Sequence, residues 1–158
     1  MVALDATEAM LAEAKAKAEE EGLSNIKFLH GDATSLPFPD FSFGLVTSRL
    51  AIHHFTKPKT ILDEMARVTA PGGRVVLVDL VASENEEQVR FELVARNQAD
   101  QAETQNRLER LRDPSHTSAL SITHLSSLVG QSGLIFEGKV PSNFYVLINA
   151  MFLYMQDR

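Results

Sequence analysis

Short apolar runs alternate with amphipathic stretches in the first half of the chain. Residues 7–21 and 60–69 repeat apolar side chains at helical spacing, and each stretch is followed by glycine, at Gly22 and at Pro71-Gly72-Gly73. Thr7 is predicted to cap the first helix through its hydroxyl. The runs predicted as strands are 1–4, 26–29, 43–47 and 75–78. This alternation predicts an α/β fold, a mostly parallel sheet with helices on both faces.

The second half of the chain has a different pattern. Residues 83–116 are polar and predicted helical with little apolar stripe, which is typical of a lid or insert that needs a partner surface. Ser121 is predicted to cap a helix that runs to Ser132, with a strand at 134–136. The apolar stretch 144–155 fits a strand or a helix equally well. Residues 1–158 are interpreted as a single domain with 83–116 as its lid.

Composition narrows the class of ligand. The chain has 158 residues, 44% of them hydrophobic and 23% charged, with no cysteine and a net charge of −6. These values predict a globular protein without disulfides or thiolate metal sites, and nothing in them contradicts a reducing cytoplasm. We expect a cytoplasmic protein that holds no metal. No apolar run is long enough to span a membrane. Because no basic cluster is present, a small-molecule partner is expected rather than a nucleic acid.

Two acids end neighbouring apolar runs. Asp5 follows the first run and Asp32 follows the second. Ligands of open parallel sheets bind outside the carboxyl ends of the strands, where Asp5 could accept from a ribose diol and Asp32 from an adenine amine. The Ala33 amide could donate to a ring nitrogen of the base. The alternatives are that Asp5 helps to cap the helix and that Asp32 forms an Asx-turn. Their spacing, about one βα unit, favours adenosine.

Four linked segments carry a family resemblance. The order LDATEAML, FLHGDATSLPFPDFSF, LVTSRLAIHHF and ILDEMARVTAPGGRVVLVD resembles the class I S-adenosylmethionine-dependent methyltransferases. Within them it is most similar to the small-molecule branch with the ubiquinone/menaquinone-biosynthesis methyltransferases. The resemblance implies a Rossmann-like sheet and S-adenosylmethionine as cofactor. It also implies which residues bind that cofactor: Asp5 and Ala6 at the ribose, Asp32 and Ala33 at the adenine, and Ser48 and Arg49 at the methionine end.

One part of the family pattern is not in the sequence. The family's first strand, ending in an acid and Gly-x-Gly-x-Gly, would lie about twenty residues before Asp5. In the family's sheet this strand is central, between the strands that carry Asp5 and Ser48. The expectation is therefore an N-terminally truncated domain that lacks the first strand and its helix. Such a domain would leave strand edges open, which predicts a homo-oligomer.

The resemblance implies methyl transfer to a carbon or oxygen of a small, partly apolar molecule. Ser48 to Ala51 replace the Asn/Asp-Pro-Pro-aromatic segment that is common in enzymes methylating amide or base nitrogens. His54 and His116 are the candidate general bases, because histidine titrates in the required range, whereas His53 is expected to pack structurally. One alternative is a truncated, non-catalytic remnant or partner subunit. A second is a nicotinamide-dependent oxidoreductase, whose ribose acid would match Asp5, although no Tyr-x-x-x-Lys pair is present.

Overall fold

The computed structural model describes residues 1–79, 81–82, 117, 119–135 and 146–148. The predicted lid at 83–116, including the candidate base His116, lies outside the described residues. The chain divides into two compact units. Of the described residues, 1–47 and 60–76 belong to the first unit, and 48–59 together with those from 77 onward belong to the second. None of the described helices has the length and apolarity that crossing a bilayer requires.

The first unit begins with a strand, a helix and a second strand. β1 (Val2–Asp5) pairs in parallel with β2 (Lys27–His30), and α1 (Glu8–Glu20) connects them. In this register Val2 lies opposite Lys27 and Asp5 lies opposite His30. Gly22 follows α1 with a φ of 70°, a left-handed conformation that glycine adopts without steric cost. The predicted parallel βαβ arrangement is confirmed here.

A second sheet contains the longest strands. β3 (Phe43–Arg49) is hydrogen-bonded to β4 (Thr69–Asp79), and α2 (Pro58–Val68) lies between them in the chain. α2 is strongly amphipathic, and its apolar stripe is buried as the sequence predicts. Among the described residues of the first unit, the buried apolar side chains are Ala18, Phe43, Val46, Ile61, Leu62, Met65, Val68, Val75 and Val76.

The strand predicted at 75–78 begins earlier than the sequence indicates, at Thr69. The helix ends at Val68, and residues 71–73 belong to β4. Gly72 has a φ of 76°, which places a local irregularity inside the strand. A Cβ on Gly73 would lie 2.9 Å from the carbonyl oxygen of Gly44, so the absence of a side chain allows the backbones of β3 and β4 to approach closely.

The second unit contains shorter elements. Its described part comprises a 3₁₀ turn (Ile52–His54), β5 (Val81–Ala82), β6 (Leu120–Ser121), α3 (Ile122–Gln131) and β7 (Val146–Ile148). β5 pairs in parallel with β6, and β7 pairs antiparallel with β4 so that Leu77 lies opposite Ile148. β7 lies in the apolar stretch that was compatible with either a strand or a helix. In the part of this unit that the structure describes, the buried apolar side chains are Ile52, Leu77, Leu125, Leu128 and Val129.

Two predictions about α3 have different outcomes. Ser121 caps the helix as predicted, with its hydroxyl accepting from the amide of His124 at 3.2 Å. The strand predicted to begin at Leu134 is wrong for the described residues, because Leu134 and Ile135 have no regular structure. Ile135 is 85% exposed, so the described residues place no neighbouring strand against its side chain.

Candidate functional site

Asp5 and Asp32 lie at the same edge of a parallel strand pair. Asp5 is the last residue of β1, and Asp32 follows the end of β2 by two residues. The amide of Gly31 donates to the carbonyl oxygen of Asp5 at 3.0 Å, which extends the pairing beyond His30. Nε2 of His30 is hydrogen-bonded to the carbonyl oxygen of Ala6 at 3.0 Å. These bonds fix the two strand ends to each other.

The Asp5 carboxylate is bound to the start of α1. Its Oδ1 atom accepts from the amide of Thr7 at 2.7 Å. Thr7 is the N-cap, but its side chain makes no capping hydrogen bond, so the predicted hydroxyl cap is wrong. The carboxylate two residues earlier binds the Thr7 amide instead, which is typical Asx-turn chemistry. Asp5 is half-buried, and within the described residues its Oδ2 atom accepts no hydrogen bond.

Asp32 has the same local arrangement. Its Oδ1 atom accepts from the amide of Thr34 at 2.8 Å, and the amide of Ser35 donates to its carbonyl oxygen at 3.1 Å. The hydrogen bonds from Thr34 lower the pKa of the Asp32 carboxyl. The group is therefore ionised at neutral pH and can accept from an amine. Asp32 is exposed, whereas Ala33 is half-buried.

Each acid uses one carboxylate oxygen in a local hydrogen bond. Oδ1 of Asp5 accepts from the amide of Thr7 at the start of α1, as the capping alternative predicts, and Oδ1 of Asp32 forms the predicted Asx-turn. The described residues offer no donor to either Oδ2 atom. One free carboxylate oxygen at each strand end fits the ribose hydroxyls and the exocyclic adenine amine of S-adenosylmethionine. The residues present therefore fit the adenosine part of that cofactor.

The predicted residues at the methionine end lie on β3. Ser48 is half-buried and Arg49 is exposed, at the carboxyl end of the strand. The next residue, Leu50, has a φ of 50°, and its amide donates to the carbonyl oxygen of Val78 at 2.7 Å. Asp5, Ala6, Asp32 and Ala33 belong to the first compact unit, and Ser48, Arg49 and His54 belong to the second.

The two adjacent histidines have different environments. His53 is buried, and its Nδ1 atom is hydrogen-bonded to Oδ1 of the equally buried Asp79. His54 is half-buried, with its ring centroid 4.0 Å from that of His53. The carbonyl oxygen of His53 accepts from both the amide and the hydroxyl of Thr117, at 3.0 and 2.6 Å. This setting agrees with the expected structural role of His53.

Some residues that hold the candidates in place were missed in the sequence. Asp79 ends an apolar strand just as Asp5 does, and this pattern could have identified it. Glu64 and Arg67 bind the loop that follows Asp32, and their spacing of three residues on a predicted helix is a recognisable ion-pair signal. No local sequence pattern marks Thr117 as a contact of the histidine turn, because Thr117 follows the predicted lid. Among the residues that the structure describes, no cluster of three or more His, Asp or Glu side chains could hold a metal.

Comparison with known proteins shows what the first half of the chain is similar to. Residues 1–77 match the profile of a methyltransferase domain. This part of the chain is therefore similar to methyltransferase domains. The methyltransferase match includes every described candidate, from Asp5 to His54, and stops before Asp79. S-adenosylmethionine is the cofactor of this class, which agrees with the adenosine fit at Asp5 and Asp32.

Relatives extend the similarity beyond the methyltransferase match. The uncharacterized methyltransferase YcgJ of Bacillus subtilis is 38% identical over 136 residues, which is 86% of this chain and 49% of that protein. A demethylmenaquinone methyltransferase of Geobacillus kaustophilus is 43% identical over 76 residues, covering 48% of this chain and 32% of the enzyme. This chain thus spans about half the length of YcgJ and less of the other enzyme.

Solved structures show the same methyltransferase fold. The crystal structure of YcgJ superimposes with a TM-score of 0.70 at 36% identity, covering 86% of this chain and 53% of that one. A putative methyltransferase from Bacillus halodurans gives a TM-score of 0.69 at 34% identity, covering 84% and 52%. These similarities confirm the Rossmann-like α/β class that the sequence implied. The matched region is about half of each of these solved structures.

Proposed function

We propose that this chain takes part in S-adenosylmethionine-dependent methyl transfer to a carbon or oxygen of a small, partly apolar molecule. The observation that carries the proposal is the pair of strand-end acids, Asp5 and Asp32, within a methyltransferase-domain match. Each has one carboxylate oxygen engaged in a turn and a second that the described residues leave to a ligand.

The proposed roles follow the two ends of the cofactor. Asp5 and Ala6 bind the ribose, and Asp32 and Ala33 bind the adenine. Ser48 and Arg49 lie toward the methionine end. When bound, S-adenosylmethionine supplies a methyl group on a sulfonium, and the protein contributes mainly proximity and alignment to its transfer.

The acceptor class rests on the named relatives. A relative 43% identical over 76 residues is named for demethylmenaquinone, a partly apolar small molecule. We propose an acceptor of that chemical kind. If its nucleophile must lose a proton, His54 is the proposed base within the described residues. His116 remains a second predicted base outside them.

Self-association in the cytoplasm is a further part of the proposal. In the described part of the structure, β1 is hydrogen-bonded to β2 alone and β3 to β4 alone. Strand edges of this kind recruit other strands, so we propose a homo-oligomer. Light scattering coupled to size exclusion should give a dimer or larger species, and a monomer at micromolar concentration contradicts this part.

Two alternative functions differ from the proposed one, either in the ligand that is bound or in the absence of catalysis. The non-catalytic remnant or partner subunit would bind the cofactor, or a partner enzyme, without turnover. The nicotinamide-dependent oxidoreductase would bind a dinucleotide. The methyltransferase-domain match over residues 1–77 favours the proposed activity over the oxidoreductase.

Calorimetry with S-adenosylhomocysteine and NADH tests the ligand class. We expect binding of S-adenosylhomocysteine only, weakened at least about tenfold by Asp5→Asn and by Asp32→Asn, because each loses a charged acceptor. Glu13→Gln, an exposed acid on α1, is the matched control and should bind like the wild type. Binding of NADH alone, or no heat with either ligand, overturns the proposal.

Turnover is tested with labelled S-adenosylmethionine. Transfer of labelled methyl groups to a demethylated quinol supports the catalytic proposal. Binding of S-adenosylhomocysteine without any transfer to quinol or phenol acceptors supports the partner-subunit alternative instead.

A further inference from the structure

The loop that carries Asp32 is bound by two side chains of α2. Glu64 Oε2 accepts from the amide of Leu36 at 2.7 Å. Arg67 donates from Nη2 to the carbonyl oxygen of Leu36 at 3.0 Å, and from Nη1 to that of Phe38 at 2.8 Å. The backbone carbonyl of Arg67 also accepts from the amide of Phe41 at 2.9 Å. Both backbone polar groups of Leu36 are thus engaged by one helix.

Glu64 and Arg67 are also bound to each other. Nε of Arg67 donates to Oε1 of Glu64 and Nη2 donates to Oε2, both at 2.7 Å. This bidentate geometry orients the guanidinium plane, which a lysine could not reproduce. The mutual hydrogen bonds lower the pKa of Glu64 and raise that of Arg67, so both remain charged at neutral pH.

The helix that carries Glu64 and Arg67 is held firmly in place. α2 buries Ile61, Leu62, Met65 and Val68, so its position is fixed by packing. The loop itself has few internal bonds, because Pro37 and Pro39 lack amide donors. The amide of Phe38 donates to the carbonyl of Leu36 at 2.8 Å, and the Phe38 and Phe43 rings make an edge-to-face contact with centroids 4.9 Å apart. Further along the loop, the hydroxyl of Ser42 donates to the carbonyl of Pro39 at 2.6 Å, and Nη1 of Arg67 donates to Oδ1 of Asp40 at 2.9 Å.

Leu36, which Glu64 and Arg67 bind, is close in sequence to the candidate ligand residues. Only Thr34 and Ser35 separate Ala33 from Leu36, and both amides take part in the turn at Asp32. Fixing Leu36 therefore fixes the end of that turn. The direction of the Asp32 carboxylate and of the Ala33 amide depends on the same segment.

We propose that Glu64 and Arg67 are positioning residues for base recognition, holding the 32–38 segment so that Asp32 and Ala33 select an adenine ring. This inference rests on the proposed function, since it assumes that the loop binds the base of S-adenosylmethionine. Neither side chain touches the ligand. Their contribution is to the orientation of the groups that do.

The test measures discrimination between two bases. S-Adenosylhomocysteine carries an exocyclic amine that Asp32 can accept from, whereas S-inosylhomocysteine carries a carbonyl oxygen at that position. We expect the wild type to bind the adenosine compound more tightly, by roughly tenfold or more. Arg67→Lys should reduce this ratio several-fold, and Glu64→Gln should reduce it less, because an amide oxygen can still accept from Leu36.

Arg74→Lys is the matched control, since Arg74 is an exposed arginine of β4. This control variant should leave the ratio of affinities for S-adenosylhomocysteine and S-inosylhomocysteine unchanged. Hydrogen exchange of residues 34–38 should be faster in Arg67→Lys than in the wild type or the control.

The outcomes separate this inference from the proposed function. If the wild type binds neither compound, the proposed function fails and the positioning role fails with it. If the wild type discriminates and Arg67→Lys retains the full ratio, the proposed function stands and the positioning role is overturned, even when the variant is less stable. A reduced ratio with faster loop exchange supports the positioning role.

Discussion

Asp79 and His53 form a buried pair that closes the turn after β3. Oδ1 of Asp79 is hydrogen-bonded to Nδ1 of His53, and Oδ2 accepts from the amides of Ile52 and Ala51 at 2.6 and 3.1 Å. One carboxylate therefore satisfies three donors of the segment that carries His54. The acid at the end of β4 thus holds a histidine and a turn in place.

Asp79→Asn should lower the free energy of unfolding by about 1–3 kcal/mol. The side-chain amide of the introduced asparagine keeps one acceptor oxygen, but its NH₂ group faces N–H donors and cannot accept from them. At least one buried donor therefore loses its partner. Chemical denaturation followed by circular dichroism measures the change, with the exposed Glu13→Gln as control. Equal stability of Asp79→Asn and the control would contradict the role assigned to Asp79.

Gly73→Ala should destabilise the protein, whereas Gly44→Ala should not. A Cβ on Gly73 would lie 2.7 Å from the Ala70 carbonyl oxygen and 2.9 Å from that of Gly44, and backbone atoms move aside only at a cost. No atom lies within 4 Å of a Cβ placed on Gly44. We expect a loss of about 1–3 kcal/mol for the first change, measured as a shift in denaturant midpoint. Equal midpoints for the two variants would show that β3 and β4 are not this close.

Phe41→Asn should stabilise the protein by up to about 1 kcal/mol. Phe41 has a φ of 61° and is 60% exposed, so it bears the cost of a left-handed backbone and gains little from burial. Asparagine tolerates this conformation, and β-branched valine does not. Thermal denaturation should therefore rank Phe41→Asn above the wild type and Phe41→Val below it. A melting temperature that falls for both variants would contradict the argument.

The elements that could be predicted from sequence are those with a local cause. α1 and α2 follow from apolar side chains at helical spacing, and the parallel pairing of β1 with β2 follows from the strand–helix–strand order. Asp5 and Asp32 were singled out for a local reason as well, because each lies at or just beyond the end of an apolar run. Helix capping by Asp5 and an Asx-turn at Asp32 were also the alternatives that the sequence allowed.

The features that could not be predicted depend on groups far apart in the chain. His53 and Asp79 are 26 residues apart, and Thr117 and His53 are 64 apart. The early start of β4 was missed because proline and glycine locally favour a break between helix and strand, whereas here close approach to β3 requires a glycine inside a strand. Local pattern carries no information about such long-range contacts.

Glu64→Gln should show a pH-dependent loss of stability. The hydrogen bond from Arg67, and to a lesser extent the amide of Leu36, lower the pKa of the Glu64 carboxyl in the folded protein below its ordinary value of 4.5, against the opposing effect of burial. A carboxyl with a lowered folded-state pKa contributes stability that is complete above the unfolded-state value and is lost as the pH falls through the folded-state value. The difference in unfolding free energy between the wild type and Glu64→Gln should therefore be constant between about pH 7 and pH 5 and shrink below about pH 4.5. Urea denaturation at several pH values measures it, with Glu13→Gln as a control whose difference should stay near zero throughout. A difference for Glu64→Gln that persists unchanged at the lowest pH would show that the carboxylate is not bound to Arg67 in the folded protein.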